Sequence, residues 1–225
     1  ISGSTISVNG TVKASASSSG GVTRIDGTFN SPLAALTITG TGTGVAPSGV
    51  TLGAGTAITV IGNVLADASG GEGSGSAYVH MNPASTAPLA ALSITGIGGT
   101  TTGVSITSST IDVNGLVRAS ASSAYAEVNG THNAPLASAT IAGANGVTIT
   151  SSPTVRVYAN LSSSGSASNN LVASVPAAQA TITSSAGNIV IDSSTVSAYN
   201  DRRGGAAVTL DTSAGGSITV RNNST

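Results

Sequence analysis

One stretch constrains this chain more than any other: Ile111–Ala121, which reads IDVNGLVRASA. Ile111, Val113, Gly115, Val117, Ala119 and Ala121 alternate with Asp112, Asn114, Leu116, Arg118 and Ser120. That is the two-residue period of a strand with one buried face. The buried series tapers from branched to small side chains around a central glycine, where a Cβ would crowd the interior. The same frame occurs at Ile6–Ala16 (ISVNGTVKASA) and Ile58–Ala68 (ITVIGNVLADA), in worn form from Val155 (VRVYANLSS), and as a remnant at Val196 (VSAYN). A frame repeated through the whole chain specifies a repeat architecture before any other reading applies.

Each unit has four parts. After the long strand comes a variable Ser/Gly/Ala stretch, at Ser17–Gly21, Ser69–Ser76, Ser122–Ala124 and Ser162–Asn170. A segment with a proline and an Ala/Leu strand follows, as in IDGTFNSPLAALTI from Ile25 and VNGTHNAPLASATI from Val128. Units two and four keep its end, PLAALSI from Pro88 and PAAQATI from Pro176. Pro32, Pro88, Pro135 and Pro176 are expected at the entry of that strand and not inside it, because proline lacks the ladder donor. A clipped strand closes each unit, as in Gly103-Val104-Ser105-Ile106 and Gly146-Val147-Thr148-Ile149.

Units begin near residues 5, 57, 110, 154 and 195, and the fifth is only about 30 residues long because it lacks the proline segment. Short strands in register without helical periodicity predict an all-β chain, a single β-solenoid domain over 1–225 of about five stacked units. The favoured parsing is one three-sided coil per unit, with the extra residues looping out as an excursion. The rival parsing is two smaller coils per unit, and a β-sandwich is the alternative architecture. Val8, Val60, Val113 and Val157 should form one buried column, and Ile6, Ile58, Ile111 and Val155 the next.

Stacking also aligns polar positions. Thr37, Ser93, Thr140, Thr181 and Thr209 form an all-hydroxyl column; Thr39, Thr95, Ala142, Thr183 and Asp211 form its neighbour. Hydroxyl ladders suit a solvated β face, and Ala142 and Asp211 interrupt what an ice-ordering array would need. The acids Asp26, Asp67, Glu72, Asp112, Glu127, Asp192, Asp201 and Asp211 fall in different columns. A polysaccharide hydrolase or lyase needs convergent carboxylates, so no catalytic residue is assigned. Asp112 and Arg156 share a column one coil apart and read as a surface ion pair. Tyr78, Tyr125, Tyr158, Tyr199 and Phe29 are the only aromatics of the Phe, Tyr and Trp types, too few for an extended sugar-stacking platform. His80 and His132 read as exposed polar residues of the excursions, and Gly70-Gly71-Glu72-Gly73 as a flexible loop, so no metal or cofactor is assigned. Asn9, Asn129, Asn160 and Asn223 open Asn-x-Ser/Thr sequons.

Charged residues make up 7% of the chain and the net charge is −1, which gives no footing for nucleic acid or an anionic membrane. No apolar run approaches the ~18 residues of a membrane span. Cysteine is absent, which excludes disulfides and thiolate metal sites and fits an exported bacterial protein.

The segments GVSITSSTIDVNGLVRAS, GVTITSSPTVRVYA and AGNIVIDSSTVSAYN resemble the filamentous-haemagglutinin-like exoproteins of two-partner secretion. The resemblance covers the whole chain through a G-[VN]-x-[IL]-x-x-[SG]-[ST]-x-[IV] beat. It implies a right-handed parallel β-helix, secreted to the extracellular face of a Gram-negative cell as part of an adhesin or matrix fibre, and it carries over no functional residue. The chain departs from that family in lacking its N-terminal secretion domain and in having units longer than coils of about 20 residues. Composition and resemblance together predict a structural, non-enzymatic filament or adhesin shaft, in a biofilm or on a cell surface, whose partners are copies of itself. The alternative is an adhesin module that binds glycans or other cells through its excursions. Strand pattern runs to both ends, Ile1–Val8 and Ser217–Val220, with no capping segment legible. The sequence therefore reads as part of something longer, with each end a template for strand addition.

Overall fold

The computed structural model describes residues 5–15, 21–41, 48–68, 75–98, 102–201, 205–213 and 215–225. They form seventeen strands: β1 (Thr5–Ser15), β2 (Val22–Gly27), β3 (Ala34–Gly40), β4 (Ser48–Leu52), β5 (Ala57–Ala68), β6 (Ser76–Met81), β7 (Ala90–Gly96), β8 (Thr102–Thr107), β9 (Thr110–His132), β10 (Ala137–Gly143), β11 (Val147–Thr150), β12 (Thr154–Ala173), β13 (Ala178–Ser184), β14 (Ile189–Asp192), β15 (Thr195–Asn200), β16 (Ala206–Thr212) and β17 (Ile218–Arg221). No helix occurs among the described residues. Every pairing is parallel, in three stacked sheets. The first runs β1-β5-β9-β12-β15, with β2 and β6 alongside; the second runs β16-β13-β10-β7-β3 and the third β17-β14-β11-β8-β4. The architecture is a parallel β-solenoid of five coils, one per sequence unit. Thr5, Ala57, Thr110, Thr154 and Thr195 align across the first sheet.

The predicted columns carry the core. Ile58, Ile111 and Val155 are buried to within 1%, as are Val60, Val113 and Val157. The side chains of Ile6 and Val8 lie outside the described set, though their backbones pair with Ile58 and Val60. Ile38, Ile94, Ile141 and Ile182 point inward from the second sheet, and Leu52, Ile106, Ile149 and Ile191 from the third. Each fully buried Ile or Leu contributes about 1.5–3 kcal/mol of transfer free energy. Pro32, Pro88, Pro135 and Pro176 each stand two residues ahead of β3, β7, β10 and β13, where no ladder donor is needed.

The excursions differ from expectation. Their described residues are mostly strand and not loop: β2, β6 and the second halves of β9 and β12 pair as a continuation of the first sheet, with one register shift between Ser164 and Ser166. Ser122–Ala124 and Ser162–Asn170 lie within strands β9 and β12. Most of the other two variable stretches, residues 17–20 and 69–74, lies outside the described residues, the Gly70-Gly71-Glu72-Gly73 segment included. Each long coil has a triangular lobe and a flat arm in which the chain runs out and returns. Two contacts define that path. A Cβ built on Gly75, where the return begins, would come 3.1 Å from the carbonyl oxygen of Ala68, the end of the outgoing strand. One built on Gly115 would come 2.2 Å from the carbonyl oxygen of Leu136, just after the arm closes. Gly10 and Gly62 meet Leu33 and Leu89 in the same way, at 1.9 and 2.1 Å. This waist is why the first three long strands carry a central glycine: in those coils backbone crosses backbone so closely that a Cβ would collide with the facing carbonyl. The fourth coil has Ala159 and Ala177 at the corresponding positions, both fully buried.

Another corner links the third sheet to the next coil. Gly55 (φ 81°), Ser108 (47°), Ser151 (66°), Ser152 (63°), Ser193 (50°), Asn222 (56°) and Asn223 (57°) are left-handed there. That conformation costs a serine roughly 1–2 kcal/mol. Buried hydroxyls offset it: Ser109 Oγ donates to the carbonyls of Gly53 (3.0 Å) and Thr107 (2.9 Å), and Ser194 Oγ to those of Ile149 (3.0 Å) and Asp192 (2.6 Å).

Candidate functional site

The outer face of the first sheet places two side-chain columns next to each other, one polar and one largely apolar. The second position of each frame, which faces outward, gives Thr59, Asp112, Arg156 and Ser197; the fourth, also outward, gives Ile61, Asn114, Tyr158 and Tyr199. Parallel stacking puts these side chains in files running along the solenoid axis, about 4.8 Å apart. The groove between the files has a volume of about 350 Å³. One wall is polar. Arg156 donates from Nε to Asp112 Oδ1 at 2.7 Å and from Nη2 to Oδ2 at 3.1 Å, a bidentate pair one coil apart as the sequence predicts. The hydrogen bonds and charge of Asp112 hold the guanidinium pKa above its ordinary value. The other wall is largely apolar. Tyr158 and Tyr199 stack with ring centroids 5.2 Å apart and planes 4° from parallel. Desolvation, the Asp201 carboxylate and Tyr199 raise the Tyr158 phenol above its usual pKa, in that order of size. Asn114 Oδ1 is buried in this file with no hydrogen-bond partner.

A second cluster lies on the outer face of the arm. Arg24 pairs with Asp26 at 2.9 Å on one strand. In the coils stacked on it, His80 Nδ1 lies 3.8 Å from Asp26 and His80 Nε2 4.0 Å from Glu127. Glu127 accepts from Asn129 Nδ2 at 2.9 Å, and Tyr78 packs against both His80 and Tyr125. A third, at the last corner, holds Asp192 between Asn222, Arg221 and Ser193. Hydrogen bonding from Asn222 leads the lowering of the Asp192 pKa, with Arg221 and Ser193 adding to it.

The structure redistributes the sequence candidates. The two hydroxyl columns are in register, and Thr95, Ala142, Thr183 and Asp211 border one shallow surface depression. Asp201 accepts from the Leu161 backbone N–H at 3.0 Å. Glu72 lies outside the described residues. The histidine reading needs correction: His80 is half-buried between two carboxylates and His132 is completely buried. His132 fills an inward position at the base of the arm, where Nε2 donates to the Ala87 carbonyl at 3.2 Å and Nδ1 has no partner. That file continues from the buried Phe29 and Ser85, whose Oγ accepts from the Phe29 N–H. No group of three or more His, Asp or Glu side chains among the described residues is arranged to hold a metal ion. Sequence reasoning missed the pairing of Tyr158 with Tyr199, although both occupy the fourth position of the repeat frame, which faces outward. The same alignment, extended from Asp112–Arg156 by two residues, finds it.

Comparison of the chain with protein-family models, with curated proteins and with solved structures gives no match.

Proposed function

We propose that this chain is a structural, non-enzymatic β-solenoid that forms the shaft of a secreted bacterial surface filament or adhesin and joins copies of itself end to end. The observation that carries the reading is the stack of five coils, held together by parallel backbone ladders in three sheets. Among the described strands β15, β16 and β17 pair on one side only, with Val208, Ile218 and Val220 43%, 44% and 50% exposed, so a further coil, of this chain or of a copy, can stack on them. Unpaired N–H and C=O groups beside exposed branched side chains make a template for a further parallel strand. The corner geometry supports continuation: Thr225 donates to the Ser194 carbonyl and accepts from Val196, as Thr195 pairs onto the coil below it. The resemblance to haemagglutinin-like exoproteins favours the extracellular, cell-surface setting. In this role the protein works mechanically. Backbone ladders transmit load along the axis, and the outer faces present surface to the environment.

Electron microscopy of the native material, together with sedimentation of the purified chain over a wide concentration range, tests the proposal. End-to-end rods that lengthen with concentration are expected. A monodisperse monomer at high concentration, with the β16 and β17 edges unprotected in hydrogen exchange, would overturn self-assembly.

A further inference from the structure

We infer that the groove between the Asp112–Arg156 file and the Tyr158–Tyr199 file is a binding site for a neutral oligosaccharide lying along the solenoid axis. A sugar chain is two-sided, with apolar C–H faces and hydroxyl edges. The groove is two-sided in the same sense: Ile61, Tyr158 and Tyr199 line one wall, and Thr59, Asp112 and Arg156 the other. Its volume, about 350 Å³, is at the small end of the range of ligand pockets. Aromatic rings give a large contact area at low entropy cost, with a hydroxyl at the tip.

The polar wall has capacity to spare. Arg156 uses two of its five N–H donors on Asp112, and each Asp112 oxygen retains a lone pair. Such a pre-ordered acid–guanidinium pair can accept from one sugar hydroxyl and donate to the next without reorganising. The charges of Asp112 and Arg156 cancel, so the site offers no net attraction to an anionic polymer. The backbone of β5, β9 and β12 beneath the groove is already paired on both sides, so a peptide could add as a strand only at the β15 edge, at one end of the groove. The arms do not contribute: the site lies on the triangular lobe and is built by the coil stack itself.

The chain contains four tyrosines and no tryptophan, so its intrinsic fluorescence reports tyrosine alone, and two of the four line this groove. The test titrates the full chain with cellotetraose, xylotetraose, maltotetraose and chitotetraose, and with a sulfated heparin tetrasaccharide as the anionic control, following tyrosine emission and heat of binding. At least one of the first four should perturb the emission saturably. Tyr158→Ala and Arg156→Gln should each weaken that binding by about tenfold or more, while Tyr78→Ala on the arm leaves it unchanged. Circular dichroism melts identify any variant that has lost the fold; Arg156→Gln, at an exposed position, serves if Tyr158→Ala has. Three outcomes overturn the inference: no binding by any of the four, binding untouched by Arg156→Gln, or binding only to a sulfated oligosaccharide with steep salt dependence.

Discussion

The triangular lobe and the flat arm share a sheet yet pack by different rules. The lobe encloses a centre between three sheets, and Ile58, Ile111, Leu52, Ile106 and Ile149 fill it. The arm brings two layers of one sheet face to face, and small residues are frequent between them: Ala66, Ala77, Ala119 and Ala126 are among its buried residues, with Val64, Val79 and Val128 and the larger Ile25, Met81 and Leu171. Polar groups buried in the arm or at its base, Thr23, Ser85 and His132, satisfy themselves largely on crossing backbone. Thr23 Oγ1, for example, donates to the Asp67 carbonyl at 3.0 Å. Coil five has no arm and still closes through β15, β16 and β17. The lobe therefore holds the fold, and the arm is an addition that leans on it.

The sharpest way to break this comparison is the same buried charge in each region. Val113→Asp puts an unpaired carboxylate in the centre of the lobe and should cost several kcal/mol, abolishing cooperative thermal unfolding by circular dichroism. Ala119→Asp, in the arm of the same strand, should release the arm locally. Hydrogen exchange should then show lost protection over residues 116–132, with β10 and β11 still protected. Global unfolding by both variants would show that lobe and arm form one cooperative unit.

Next in size is the waist that separates them. Gly115→Ala sets a methyl 2.2 Å from the Leu136 carbonyl oxygen, so strand and corner must part. A loss of about 1–3 kcal/mol is expected, as for an overpacked core. Ala159→Gly, at the same position in coil four, should cost about 1 kcal/mol through backbone entropy alone. Chemical denaturation of the two variants decides it; equal costs would mean the waist opens freely.

Much of the lobe was legible because its period is local. Ile111, Val113 and their copies announce both strand and inward face, and the prolines mark the strand entries. The arm was not legible as structure. Many of its buried residues are alanines, and the serine-rich sequence of Ser162–Asn170 resembles a linker. His132 was misread on the same ground: a histidine in a polar segment looks exposed until the returning layer covers it. The left-handed corner left a trace in the Ser-Ser and Asn-Asn doublets and in Gly55. These align only once the coils are in register, which is also what joins Tyr158 to Tyr199.

A smaller effect comes from pH, acting at the base of the arm. Burial holds the His132 pKa below its ordinary value, against the Ala87 carbonyl, which favours the charged ring. The unfolded chain thus binds a proton near pH 6.5 that the folded chain refuses. Stability contributed by neutral His132 is complete above that pH and falls as acid is added, levelling off below the folded pKa. Melting temperature should decline on acidification through this window, and His132→Gln should remove that part of the decline. An unchanged pH profile in the variant would assign the titration to other groups.

The smallest effect is expected at the Asp112–Arg156 pair, and its smallness is informative. The side chains are 33% and 58% exposed, so water and salt screen their attraction, and an isolated pair of this kind contributes about 0–1 kcal/mol. Every inward neighbour of the pair is a buried aliphatic, and the strands beneath are hydrogen-bonded to two coils each. Arg156→Gln should therefore leave the thermal midpoint within a degree or two of the parent. Asp112→Asn should do the same, and raised salt should not move the parent either. If both variants melt like the parent while oligosaccharide binding is lost, the pair belongs to a recognition surface carried on an indifferent scaffold. If either variant destabilises the lobe substantially, Asp112 and Arg156 clamp coils three and four together, and the outer face of the first sheet contributes to holding the stack as well as to what it displays.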